Sequence, residues 1–295
     1  MDYQVAVLIF FMSNLKQILA KPFPVLRAPM RMLRASTYYN KRYLQILKWG
    51  FSSREGGNYT YELTEGNLLY LAHIVAAALG ISLADVQRYM AEADNDDALR
   101  EHILHGIENS SLRTYADRRV CYGRRLGWYV FVRVLKPKVV IETGIDKGMG
   151  AVLLCSALLR NKQEGSPGRY FGTDINPAAG YLLSGVYKEV GEIIYGDSIT
   201  SLKGFAPTID LFINDSDHSD DYEYREYKTV EGKLAPDAVI LGGNARDTDK
   251  LAVFAKETGR SFLFFKEEPR EHWYPGAGIG IAFWAHRESV KRPRQ

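Results

Sequence analysis

Four carboxylates stand at the ends of short apolar runs, where strands of a buried sheet would stop. They are Glu142, Asp174, Asp197 and Asp215. Carboxylates accept hydrogen bonds from hydroxyl groups and attract ammonium groups and metal cations. If the runs are parallel strands, their carboxyl ends lie at one edge of the sheet, where such folds bind ligands. The spacing therefore predicts one ligand site, for a molecule that carries hydroxyls or a positive charge.

A glycine-bearing turn follows the first of these acids. The stretch Val139–Gly150 reads Val-Val-Ile-Glu-Thr-Gly-Ile-Asp-Lys-Gly-Met-Gly, and Ala151–Arg160 then has the composition of a helix. Glycines let a backbone approach a ligand, and a helix N-terminus offers N–H donors with a partial positive charge. A dinucleotide-binding turn has Gly-x-Gly-x-x-Gly directly after its strand. Here the pattern is Glu142-x-Gly144-x-x-x-Gly148, which disfavours a hydride-transferring dehydrogenase.

His218 follows Asp215 by three residues. An aspartate and an imidazole at a strand end can face the same pocket, where the imidazole takes a proton from a hydroxyl group. Two plainer alternatives stay open: His218 caps the helix that follows, or it pairs with Asp215. The spacing is therefore compatible with acid–base chemistry by His218 and Asp215.

Seven runs of strand length alternate with helical segments in the second half of the chain. They lie at 139–141, 169–174, 192–197, 209–215, 237–243, 261–265 and 278–284. This alternation predicts an α/β fold with a mostly parallel, doubly wound sheet.

The segment before the first strand has helical patterns. Helices are predicted at 68–79, closed by Gly80; from 82 onward, opened by a Ser82–Asp85 capping box; at 97–105, stopped by Gly106; and at 118–135. On the last of these helices, Arg124, Arg125, Trp128 and Tyr129 either overhang the ligand cleft or pack against the sheet.

Over residues 119–286 the chain resembles the class I S-adenosylmethionine (SAM)-dependent methyltransferases. That superfamily shares the glycine turn, the acid that ends the second strand and the Gly-Asp-Ser that ends the third. The stretch Ile213–Glu223, Ile-Asn-Asp-Ser-Asp-His-Ser-Asp-Asp-Tyr-Glu, is similar to the Asp-Gly-Asp-His-Ser-Tyr-Glu stretch of the cephalosporin hydroxylase-like O-methyltransferases. Their relatives include the catechol, caffeoyl-CoA and macrolide-sugar O-methyltransferases. The resemblance implies a Rossmann-like seven-stranded sheet with an N-terminal helical extension, SAM as cofactor and methyl transfer to a hydroxyl group.

The resemblance also implies roles for individual residues. Asp174 would bind the two ribose hydroxyls, Asp197 and Ser198 would lie at the adenine, Asp215 would face the transfer site, and His218 would be the general base. The residues implied to hold SAM are Glu142, Thr143, Gly144, Gly148, Asp174, Ile175, Asp197, Ser198 and Asp215.

One departure from the family pattern concerns a metal ion. In the metal-assisted relatives the fifth strand ends in an acid followed by Asn or Asp. Here Gly243 stands at the position of the acid, and Asn244 alone is retained. Asp215 and Asn244 are the candidate Mg²⁺ ligands, with Asp217 or Asp247 as substitutes. They make a thin set for an octahedral ion that prefers charged oxygen ligands.

The first third of the chain has its own composition. Between Ser13 and Lys48 lie eight basic residues and no acidic ones, interleaved with apolar residues. Such a segment fits peripheral contact with an anionic membrane surface. It equally fits an arm packed against the catalytic domain or a homodimer partner. We divide the chain into a basic amphipathic arm (residues 1–48), a helical subdomain (residues 49–118) and a SAM-binding methyltransferase domain (residues 119–295).

Composition and residue spacing limit the expected binding partners and the expected cellular compartment. Of the 295 residues, 46% are hydrophobic and 25% charged, and the net charge of +3 is too small to favour nucleic acid. Cys121 and Cys155 lack metal-ligand spacing and read as free thiols of a reducing compartment. The apolar run Val5–Met12 is too short for a membrane span and is not preceded by basic residues as a signal peptide would be. The expected location is cytoplasmic, with the basic arm on a membrane as a further expectation.

The methyl acceptor is the least determined feature. Aromatic residues beside glycines in Glu271–Gly280 suit an acceptor lip, although a tight hairpin has the same composition. A small molecule, a sugar and a lipid-linked acceptor remain open. The competing functions are N- or C-methylation, and SAM binding without methyl transfer.

Overall fold

The computed structural model describes residues 27–285, which contain nine α-helices and seven β-strands. In chain order they are α1 (Ala28–Ser52), α2 (Glu65–Leu79), α3 (Leu83–Asp94), α4 (Asp97–Asn109), α5 (Arg125–Leu135), β1 (Val139–Thr143), α6 (Met149–Gln163), β2 (Arg169–Asp174), β3 (Gly191–Tyr195), α7 (Ser198–Gly204), β4 (Ile209–Asn214), α8 (Asp220–Val230), β5 (Leu234–Gly242), α9 (Lys250–Thr258), β6 (Ser261–Phe265) and β7 (Ile279–Phe283).

The seven strands form one sheet in the order β3-β2-β1-β4-β5-β7-β6. Strands β1 to β5 pair in parallel, and β7 runs antiparallel between β5 and β6. The direction of strand order reverses between β1 and β4, so the crevice that binds ligands in open α/β sheets lies beyond the ends of these two strands. The predicted α/β fold with a Rossmann-like seven-stranded sheet is confirmed.

Helices cover both faces of this sheet. Successive residues of β4, Leu211 and Phe212, belong to two different hydrophobic clusters, because side chains alternate between the faces of a strand. A strand buried on both faces needs a continuous apolar run, which explains the composition of β1 and β4. In α5, Trp128 and Tyr129 are fully buried, so they are core residues and do not overhang a cleft.

Two glycines act differently from the sequence prediction. Gly106 does not stop α4, which continues to Asn109; a Cβ at Gly106 would lie 2.9 Å from a methyl of Leu182, so this glycine allows close packing. The predicted helix from residue 118 begins only at Arg125. Gly123 has a φ of +52°, which is incompatible with a continuous helix through this position. The predicted Ser82–Asp85 cap of α3 is confirmed, with Ser82 Oγ accepting from the Asp85 N–H at 3.1 Å.

The chain divides into two compact units. Of the described residues, the first unit contains residues 27–52 together with Glu271–Trp273, and the second contains Ser53–Arg270 and residues 274–285. In the first unit, Arg42 donates to the carbonyl oxygen of Trp273 at 2.9 Å. The ring of Trp49 lies edge-on to that of Trp273, with centroids 5.3 Å apart.

Helix α1 carries the second part of the predicted basic arm. None of its residues is buried, and apolar side chains such as Leu33, Leu44 and Phe51 are exposed. Residues 13–26 of the arm, and the run Val5–Met12, lie outside the described residues. The predicted membrane contact, homodimer and cytoplasmic location stay predictions.

Within residues 27–285, no single helix combines the length and the apolar character that a membrane span requires. The pair α2 and α3 passes that test together by length and composition, with a bend of 119° between them.

Candidate active site

A cavity of about 640 Å³ opens in the second unit, at the carboxyl ends of the central strands. It brings together most of the side chains that the sequence nominated. The nominated residues on its wall are Gly144, Asp174, Ile175, Asp197, Ser198, Asp215, His218 and Asn244. Glu142, Thr143 and Gly148 do not line it.

Glu142 lies behind the cavity, beneath the start of α6. Its carboxyl group is buried and accepts a hydrogen bond from the Tyr170 hydroxyl at 2.6 Å. Burial raises the pKa of Glu142 to about 8, against the opposing effect of this hydrogen bond. A Cβ on Gly150 would lie well under 3.0 Å from the Glu142 carboxyl oxygen, so this glycine lets the helix sit on the acid. Glu142 therefore stabilises the turn from the side that faces away from the cavity.

The turn after β1 touches the end of β4. Gly144 has a φ of +75°, and a Cβ there would lie well under 3.0 Å from the carbonyl oxygen of Asp215 and the Cα of Ser216. The Asp215 N–H donates to the carbonyl oxygen of Thr143 at 2.9 Å. Glycine is needed at position 144 for both its conformation and its space.

Asp174 ties the same turn to the end of β2. Its carboxylate accepts from the backbone N–H groups of Ile145 (3.1 Å), Asp146 (2.9 Å) and Asn176 (2.8 Å). A carboxylate has about four acceptor positions, so one remains for a ligand hydroxyl. The sequence predicted an acid at this place, and its contacts with the turn depend on tertiary geometry.

Asp197 caps α7 at the cavity wall. It accepts from Thr200 through both the backbone N–H (2.7 Å) and the hydroxyl (2.6 Å), and from the Tyr222 hydroxyl at 2.6 Å. The hydrogen bonds from the Thr200 hydroxyl, and then from Tyr222, lower the pKa of Asp197. Asp197 is therefore a fixed anion.

Glu226 joins the ends of two strands from within α8. It is fully buried and accepts from the hydroxyls of Ser198 and Ser216 and from the amide of Asn214. Ser198 follows β3, and the other two residues lie at the end of β4. Burial raises the pKa of Glu226 to about 7, although these hydrogen bonds act in the opposite direction. Sequence analysis missed this residue because nothing marks it among the other acids of α8.

Glu226→Gln is expected to change how stability depends on pH. Because the pKa of Glu226 is about 7 when folded and 4.5 in its reference state, the folded chain holds this proton more tightly. Its stabilising contribution is complete below about pH 4.5 and is lost as the pH rises through 7. The free energy of unfolding of the wild-type protein, relative to Glu226→Gln, should fall by about 3 kcal/mol over this window.

Urea denaturation between pH 4 and pH 8 measures this difference. The exposed Glu101→Gln is the control for the loss of a carboxylate. Parallel pH curves for the wild-type protein and Glu226→Gln would contradict the prediction.

Asp215 is held by cations and amide donors. The Arg124 guanidinium Nη2 lies 3.2 Å from Oδ1 and 3.4 Å from Oδ2 of Asp215, and Arg125 Nη2 lies 3.9 Å from Oδ2. Asn244 donates its amide N–H to Oδ1 at 2.9 Å. On its other side, Arg124 Nη1 lies 3.5 Å from Glu267. Burial opposes the charge of Arg124, but Asp215 and Glu267 outweigh it and raise its pKa above the ordinary value.

His218 lies exposed on the cavity wall, between β4 and α8. The residue that precedes α8 is Ser219, and its N–H donates to Asp217 at 2.7 Å. Among the hydrogen bonds of residues 27–285, none joins His218 to Asp215, whose carboxylate is taken by Arg124 and Asn244. Neither of the plainer alternatives for His218 is observed.

A family profile matches the part of the chain that carries these residues. The profile described as "Methyltransferase domain" matches residues 141–245, which run from β1 past the end of β5. The match covers the glycine turn, the acid that ends β2 and the acids that follow β3 and β4. Residues 141–245 are thus similar to a methyltransferase domain.

Several solved methyltransferase structures match parts of this chain at low sequence identity. Podospora anserina methyltransferase PaMTH1, bound to S-adenosylhomocysteine (SAH), is 17% identical over 67% of this chain and 94% of that chain, with a TM-score of 0.45. The O-methyltransferase from Bacillus cereus, in complex with SAH, is 14% identical over 68% and 99%, with a TM-score of 0.48. TomG from Streptomyces achromogenes, an O-methyltransferase involved in tomaymycin synthesis, is 15% identical over 53% and 77%, with a TM-score of 0.41. No curated protein matches the sequence.

The donor set of the methyltransferase domain does not fit Mg²⁺. Both oxygens of Asp215 already accept from Arg124, and Asn244 must turn its NH₂ group toward Asp215 because a carboxylate oxygen only accepts. Across residues 27–285 no three His, Cys, Asp or Glu side chains are grouped as metal ligands. Asp217 and Asp247 line the cavity without completing such a group. The structure does not support the predicted Asp215–Asn244 metal site.

Tyrosines form another part of the cavity wall. The ring centroids of Tyr59 and Tyr61 lie 5.0 Å and 5.8 Å from that of Tyr274. From the predicted acceptor lip Glu271–Gly280, the structure places Tyr274 and Ala277 on the wall. Sequence analysis missed Tyr59 and Tyr61, which lie in an irregular segment before α2.

Proposed function

We propose that this methyltransferase transfers the methyl group of SAM to a hydroxyl of a small-molecule acceptor, with His218 as general base. The observation that carries the proposal is one cavity holding two sets of residues. Asp174 and Asp197 are cofactor-type acids at the ends of β2 and β3, and His218 and Asp215 follow β4. A cavity of about 640 Å³ is of the size that holds a cofactor's reactive end together with a small molecule.

The residues of the cavity fit SAM. The acids on the wall oppose the positive charges of the sulfonium and the ammonium group. Gly144 lines the cavity and has no side chain to occupy it. Asp174, already oriented by three backbone donors, is the ribose ligand in this proposal, and Asp197 and Ser198 lie on the adenine side.

The chemistry requires alignment and removal of one proton. Bound SAM supplies an electrophilic methyl group on a positively charged sulfur and leaves as SAH. His218 accepts the hydroxyl proton while the acceptor oxygen forms its bond to the methyl carbon and the carbon–sulfur bond breaks. The aromatic rings of Tyr59 and Tyr274 offer an apolar surface for the acceptor. Analysis of the methylated atom in the product separates this proposal from N- or C-methylation.

Calorimetric titration with SAM and SAH tests the cofactor assignment. We expect a dissociation constant on the order of 1 μM for the wild-type protein. Asp174→Ala should weaken binding by about tenfold to 100-fold, because each hydrogen bond to a charged group contributes about 1.5–3 kcal/mol. Asp237→Ala, in an exposed position of β5, is the control. A wild-type protein that binds neither ligand would overturn the proposed function.

A further inference from the structure

We infer that the Arg124 guanidinium takes the place that a divalent cation has in metal-assisted O-methyltransferases, which makes Arg124 a positioning residue and the transfer site metal-independent. This inference rests on the proposed function, because it assigns the charge at the acceptor side of the same cavity. Arg124 lines the cavity, and its side chain is 8% exposed. It contacts both oxygens of Asp215, the residue that the family pattern makes a metal ligand.

Gly243 leaves the space that the contact between Arg124 and Asp215 requires. The Cβ of any other residue at position 243 would lie well under 3.0 Å from Oδ1 of Asp215. The φ of Gly243 is not positive, so its backbone conformation does not require glycine. Space is the reason for the glycine. The second acid of a metal site cannot stand at this position while Asp215 accepts from Arg124 and Asn244.

Glu267 holds the guanidinium from behind. It is fully buried as a side chain and accepts from the backbone N–H groups of Ala277 at 2.8 Å and Gly278 at 2.9 Å. Arg124 is therefore clamped between two carboxylates, at 3.2 Å from one and 3.5 Å from the other. An unpaired buried carboxylate is costly, so each acid favours a charged Arg124.

The position of Arg124 between Asp215 and Glu267 explains how the site can balance charge without a metal ion. A bare Asp215 carboxylate would repel the negative charge that develops on the acceptor oxygen as its proton leaves. The Arg124 guanidinium offsets the charge of Asp215 in a partly dehydrated site. Because it is already in place, the side chains do not reorganise during the reaction. Arg125, 3.9 Å from Asp215, adds to the same field. In this arrangement the proton goes to His218 and the charge is balanced by arginine.

Titration with Mn²⁺, followed by electron paramagnetic resonance, tests the inference without requiring an acceptor. The wild-type protein and Arg124→Lys should bind no Mn²⁺ at Asp215, because both keep a cation beside it. Arg124→Met should bind Mn²⁺ at least about tenfold more tightly than the wild-type protein, because it takes the nearer cation from Asp215 and the paired cation from Glu267. Arg118→Met, a surface change, is the matched control. A merely structural role for Arg124 would not separate lysine from methionine in this assay.

Each outcome decides the inference. Tight Mn²⁺ binding by the wild-type protein that Asp215→Asn abolishes would overturn it, and so would Arg124→Met binding no more Mn²⁺ than Arg118→Met. If Arg124→Met does not fold, the wild-type and Arg124→Lys titrations still test the claim. Titrations with and without SAH separate the two proposals, because failure to bind SAH counts against the proposed function and Mn²⁺ binding at Asp215 against metal independence.

Discussion

His218→Ala is expected to lower kcat for methyl transfer by about 10²–10⁴-fold, the usual contribution of a positioned general base. The affinity for SAH should change by less than about threefold, because the proposed cofactor contacts lie at other residues. The expectation rests on the position of His218 on the cavity wall beside Asp215, whose carboxylate is already occupied by Arg124 and Asn244. Of the two, the imidazole is therefore the better placed to take a proton.

Transfer of a labelled methyl group from SAM to a panel of hydroxylated acceptors measures this effect. His105→Ala removes an exposed histidine from α4 and serves as the control of the same residue type. If kcat stays within tenfold of the wild-type value, His218 is not the base. If SAH binding is lost as well, the histidine acts through the structure of the cofactor site.

Gly144→Ala is expected to abolish measurable SAH binding and to lower the free energy of unfolding by about 3 kcal/mol. An alanine in this left-handed conformation costs about 1–2 kcal/mol by itself. The added Cβ also meets the backbone of Asp215 and Ser216, which cannot swing away as a flexible side chain could. The turn must move away from β4, and the cavity wall moves with it.

Comparison with Gly165→Ala separates the steric clash from the conformational cost. Gly165 has a φ of +83°, close to the +75° of Gly144, but nothing lies within 4 Å of its added Cβ. It should show the conformational cost alone and bind SAH normally. Chemical denaturation and SAH titration of both variants provide the comparison. If both variants have the same SAH affinity and the same free energy of unfolding, the contact between the turn and β4 does not contribute to SAH binding.

The strands were the most predictable part of the fold. Arg169–Asp174 and Ser261–Phe265 begin and end where the sequence analysis placed them. Both segments contain aromatic residues, which favour strands, and this signal is local. Helix limits at glycine were less predictable. Gly106 lies inside a helix and Gly123 precedes one, because close packing and backbone conformation use the same residue type for different reasons.

The candidate site was predictable as a location and less so as a set of contacts. Asp174, Asp197 and Asp215 reach the cavity, whereas Glu142 points behind it, and strand-end spacing does not distinguish these directions. Arg124 meets Asp215 across 91 residues of sequence. Such a pair leaves no local pattern, since the fold alone brings the two side chains together.

The Gly243–Asp215 contact also limits how this sequence can change over time. An aspartate at position 243 clashes with Asp215 as long as Arg124 holds it. Loss of Arg124 alone removes the cation that pairs with the buried Glu267 and leaves Asp215 with the more distant Arg125. Each of these substitutions alone is therefore destabilising, and a metal-binding set of residues requires both of them together. The effects of the two substitutions are therefore not additive, and a protein with this arginine and this glycine is not expected to reach a metal-binding site by single substitutions.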